Sequence, residues 1–80
     1  MKKIELKKKI RKIILKQFKI NKDKNIKKLS ANNVEKWDSL GHLLLISNIE
    51  KKLNIKFKDS DIPEILDENK ILKEVLRIKK

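Results

Sequence analysis

The chain has 80 residues, a formal net charge of +12 and no cysteine. That length supports one small core and leaves no room for a second. Without cysteine there are neither disulfides nor thiolate metal sites, so aliphatic packing must hold the fold, and thirteen Ile and eleven Leu supply it.

The longest apolar run, Leu43 to Ile46, falls far short of the roughly 20 residues that span a bilayer. No apolar stretch of about 7–15 residues follows the basic N-terminus, as a signal peptide would require. The expectation is a soluble, cytoplasmic protein without membrane insertion. Charge is distributed unevenly. Residues 1–28 carry thirteen Lys/Arg against Glu5 and Asp23, and residues 29–80 carry ten against nine acids. The basic excess therefore belongs to the first third, where it has two readings: an anion-binding surface, or the Lys-, Ile- and Asn-rich bias of AT-rich coding sequence.

Gly and Pro occur once each and β-branched alternation is rare, so every element reads as helical. The first helix is predicted from about Lys3 to Lys19, because Leu6, Ile10, Ile13, Ile14 and Phe18 form one stripe at 100° per residue. Leu15 sits opposite that stripe and is expected to be exposed. Residues 20–37, with four Asn and no sustained period, read as a long connection pinned by Ile20, Ile26, Leu29 and Val34. Loops of this length in compact domains are usually functional.

A second helix starts at Asp38 or Ser39, either a good N-cap, with Asp38 the favoured cap, and runs to about Leu53. Its core stripe is His42, Leu45, Ile46, Ile49 and Leu53. Leu40, Leu43 and Leu44 project elsewhere and read as a partner site, unless the loop covers Leu44. A short third helix is expected over Ser60–Leu66 with Pro63 in its first turn. The fourth runs from about Glu68 to Ile78, with Ile71, Val75 and Ile78 on one face. The expected fold is all-α: one domain over residues 1–80, a small four-helix bundle with a long loop between the first two helices.

The string Trp37-Asp38-Ser39-Leu40, then an aliphatic helix, then Ile55 and Phe57, resembles the acyl carrier protein family. Asp-Ser-Leu alone recurs by chance, but here it stands at the second helix start with about forty residues on each side. The resemblance covers almost the whole chain. It implies that Ser39 carries a covalent 4′-phosphopantetheine, transferred from coenzyme A by a phosphopantetheinyl transferase using Mg²⁺. It also implies a carrier of acyl or aminoacyl thioesters, not a catalyst, working as a monomer with acyl-activating, acyltransferase or synthase enzymes. A phosphodiester suits a helix N-terminus, where free N–H groups and the macrodipole favour negative charge. Gly41 would leave the first turn bare beside the arm.

Asp38, Leu40, Leu43, Leu44 and Glu50 are the expected docking residues. Carriers of fatty-acid synthesis are typically acidic along this helix, whereas here Asp38 and Glu50 face Lys51 and Lys52. The resemblance is therefore to accessory carriers of specialised pathways. His42 reads as a satisfied, partly buried histidine, since Leu45 and Ile46 occupy the positions where an orienting carboxylate would stand. Trp37 reads as a lid on the bundle. Asp59, Asp61, Glu64, Asp67 and Glu68 lack calcium-loop spacing and read as helix-start acids, so no metal site is expected. Two rival classes are a basic helical nucleic-acid-binding module and a helical interaction domain that is never modified. The first helix lacks the stacking aromatics of single-strand binders, and no specific nucleic acid is expected.

Overall fold

The computed structural model describes residues 2–21 and 27–79. Ile26, expected to pin the loop, lies outside them. Among the described residues the protein is all-helical, with α1 (Lys3–Gln17), α2 (Ser39–Leu53), a 3-10 turn (Ile62–Glu64) and α3 (Glu68–Ile78). An isolated bridge pairs Ser30 with Asp67, and no strand forms. The expected third α-helix is thus a single 3-10 turn. Pro63 sits at the start of the turn, where a missing N–H costs no bond, and the turn ends because Ile65 leaves the helical region, at φ -92° and ψ 65°. Among the described residues the fold is three α-helices and a 3-10 turn, so a fourth α-helix, expected for a four-helix bundle, is not seen there.

α1 packs against both α2 and α3. Leu6, Ile10, Ile13, Ile14 and Phe18 are buried against Leu45, Ile46 and Ile49 of α2 and Ile71, Leu72 and Val75 of α3. Leu15 is half-buried against this core instead of exposed. α1 stops at Gln17 because Lys19 enters the left-handed region, at φ 53°. The Lys19 and Ile20 amides then donate back to the Lys16 and Leu15 carbonyls, completing a Schellman end. Asn54 ends α2 in the same way, at φ 54°. Within α3, Leu72 is buried and Ile78, in the last turn, is exposed.

The long connection has its own lacing. Asn33 Nδ2 donates to the Lys28 carbonyl at 2.7 Å, and the Ser30 amide donates to Asn33 Oδ1 at 2.9 Å. Ala31 and Glu68 amides donate to the Leu66 and Leu29 carbonyls. The loop therefore lies along the segment entering α3, and it buries Leu29 and Val34. Glu68, a helix-start acid at the first position of α3 as expected, is 2% exposed and pairs with Arg11 of α1 at 2.7 Å. Its other oxygen, Oε2, has no partner among the described residues.

Candidate functional site

Asp38, not Ser39, caps α2. Its carboxylate accepts from the Gly41 amide at 2.8 Å, and its carbonyl accepts from the His42 amide at 2.8 Å. Ser39 becomes the first helical residue, exposed, and its hydroxyl takes part in no hydrogen bond among the described residues. A hydroxyl released from capping, beside free helix N–H groups, fits an attached phosphodiester.

Gly41 has a different reason from the expected one. A Cβ there would overlap the Lys36 carbonyl oxygen and stand 3.0 Å from Phe18 Cε1. The missing side chain faces inward, where it admits the loop backbone, and not outward towards an arm.

Beside Ser39 opens a largely apolar groove of about 710 Å³, lined by Ala31, Trp37, Leu43, Ile62, Pro63 and Leu66, with Asp38 and Asp59 at its polar edges. A hydrogen-bond relay fixes its walls. Trp37 is buried, stacked on Phe18 at 5.4 Å and on His42 at 6.2 Å. Its indole N–H lies 2.9 Å from His42 Nδ1, and His42 Nε2 lies 2.7 Å from the Ile62 carbonyl oxygen. An indole N–H only donates and a carbonyl only accepts. His42 Nδ1 is therefore the acceptor and Nε2 carries the proton. Both ring nitrogens are used, so this histidine holds the loop, α2 and the 3-10 turn together.

Leu40, Leu43 and Leu44 are 67%, 58% and 51% exposed, and the loop does not cover Leu44. They form an aliphatic ridge continuing from Ser39. Glu50 is instead engaged internally: its Oε2 accepts from the Phe57 amide at 2.8 Å, holding the chain that follows Asn54. Of the other acids, Asp61 pairs with Arg77 and Asp67 caps α3 through the Lys70 amide. Among the described residues no group of three or more His, Cys, Asp or Glu could hold a metal ion, and no helix is long and apolar enough to cross a membrane.

Capping carboxylate, exposed serine, apolar groove and leucine ridge thus converge at one end of α2. No family model, no curated protein and no solved structure matches this chain.

Proposed function

We propose that the protein is a carrier whose Ser39 is modified with 4′-phosphopantetheine and presents thioester-bound acyl or aminoacyl groups to partner enzymes. The observation that carries the reading is the division of labour at the α2 start. Asp38 takes the cap, leaving Ser39 exposed at a helix N-terminus, its hydroxyl without a partner among the described residues.

Loading attaches the group by phosphoryl transfer. Ser39 Oγ attacks the pantetheine-bearing phosphorus of coenzyme A, and a P–O bond forms as the pyrophosphate P–O bond breaks. The 3′-phosphorylated nucleotide leaves, and the hydroxyl proton passes to the transferase. The group, once attached, supplies a thiol for thioester formation. Trp37 and His42 fix the walls of the groove beside its root. Leu40, Leu43 and Leu44 offer a docking ridge, with Asp38 at its edge, for the transferase and the acylating enzymes. The near-neutral surface of α2 fits specialised partners better than the basic grooves that meet acidic carriers.

An unmodified interaction domain would use the same leucines but would not need Ser39. Labelling with a fluorescent coenzyme A analogue and a broad-specificity phosphopantetheinyl transferase separates the two. Labelling of the wild type and none of Ser39→Ala supports the carrier; labelling of neither supports the interaction domain.

A further inference from the structure

We propose that the outer face of α1, centred on a lysine-lined groove between α1 and α2, is a docking surface for an anionic lipid bilayer. All six lysines of α1 are exposed, and among the described residues none is in an ion pair. Lys3 and Lys7, Lys8 and Lys12, and Lys12 and Lys16 stand at i,i+4, an arrangement that destabilises a helix by repulsion. Glu5, three and four residues before Lys8 and Lys9, is the one acid of α1.

The charges also converge. Lys9, Lys12 and Lys16 of α1 and Lys52 of α2 line a groove of about 370 Å³ over Ile13 and Leu53. Four lysines and no acidic residue line it, and Glu5, four residues before Lys9, is not among the lining residues.

The composition of the face selects the occupant. Protein–protein interfaces are depleted in Lys and enriched in aromatics and Arg. Here all three aromatics are buried in the core, and Arg11, the arginine of α1, is paired with Glu68. Single-stranded nucleic acid needs stacking platforms that this face does not have. A cluster of four to eight basic residues on a helix is what anionic headgroups attract. Ile4, 61% exposed at the start of α1, adds a shallow apolar contact. On α3, by contrast, Glu74 and Asp61 offset Arg77.

The orientation is compatible with loading. Lys52 lies thirteen residues along α2 from Ser39, or about 20 Å at the helical rise, and the lysine groove does not include Ser39. The inference does not depend on Ser39 being modified.

Vesicle flotation of the full chain at physiological salt tests it, with phosphatidylcholine vesicles alone or containing phosphatidylglycerol. Binding is expected only to the anionic vesicles. Converting Lys9, Lys12, Lys16 and Lys52 together to Gln should lower the partition coefficient at least ~100-fold, at roughly fivefold per lysine. A charge-matched control with Lys36, Lys58, Lys70 and Lys73 converted to Gln should lose far less. Circular dichroism verifies that both variants fold. Absence of binding to anionic vesicles overturns the proposal, as does an equal loss in the control. Tighter binding to duplex DNA than to anionic vesicles at the same salt also overturns it, and assigns the face to nucleic acid.

Discussion

Trp37 donates its indole N–H to His42 Nδ1 across 2.9 Å, and the same imidazole donates from Nε2 to Ile62. One ring therefore joins the loop, α2 and the 3-10 turn. His42→Phe keeps the ring and removes both bonds, leaving a buried donor and an acceptor unpaired. The expected loss is about 1–3 kcal/mol, read by urea unfolding followed through the fluorescence of Trp37. Stability equal to wild type would show that the relay does not hold the groove.

Gly41→Ala pits two effects against each other. Helix propensity favours Ala by about 1 kcal/mol, but the new Cβ would meet the Lys36 carbonyl, which is backbone and cannot swing away. The clash should win, with net destabilisation of about 1–3 kcal/mol, the usual range for overpacking. A more stable Gly41→Ala would show that the loop can retreat from α2.

Lys19 sits at φ 53°, where glycine carries no Cβ penalty. Lys19→Gly should raise stability by about 0.5 kcal/mol, whereas Gln17→Gly, two residues earlier and inside α1, should lower it by about 1 kcal/mol. Thermal or urea unfolding of the pair checks the opposite signs. Destabilisation by both would place the helix end elsewhere.

The buried stripes were legible because a 3.6-residue period leaves little freedom once most of the aliphatic residues must share one small core. The α2 stripe from His42 to Leu53 is buried in full, and the three exposed leucines follow from the same wheel. Asp38 and Ser39 are both good N-caps, and the preference for Asp38 read from the sequence is what the structure shows. Tertiary partners hid the rest. Glu68 needs Arg11, 57 positions away, to be buried. The role of Glu50 depends on the left-handed turn at Asn54 that brings Phe57 back to it. Gly41 looked like a gap for an arm because the approach of the Lys36 carbonyl is not written in any periodicity. The third helix shrank to a turn because Ile65 leaves the helical region, which the tolerated position of Pro63 did not announce.

The leucine ridge makes a paired prediction. Leu43 is exposed and Leu45 is fully buried. Leu45→Ala should destabilise the fold by about 2–5 kcal/mol, while Leu43→Ala should stay within about 0.5 kcal/mol, as surface changes do. Leu43→Ala should instead weaken loading by a transferase, through lost burial worth about 1.5–3 kcal/mol at an interface. Loading kinetics beside circular dichroism melts decide the matter. An unfolded Leu43→Ala with normal loading per folded molecule would place that leucine in the core.

Intact-mass spectrometry after incubation with coenzyme A, Mg²⁺ and a broad-specificity phosphopantetheinyl transferase tests the carrier assignment most directly. The wild type should gain one phosphopantetheine, and fragmentation should place it on Ser39. Ser39→Ala should gain none while retaining its helicity, since Asp38 holds the cap. No gain by the wild type with several transferases, or an equal gain by Ser39→Ala, would contradict the account.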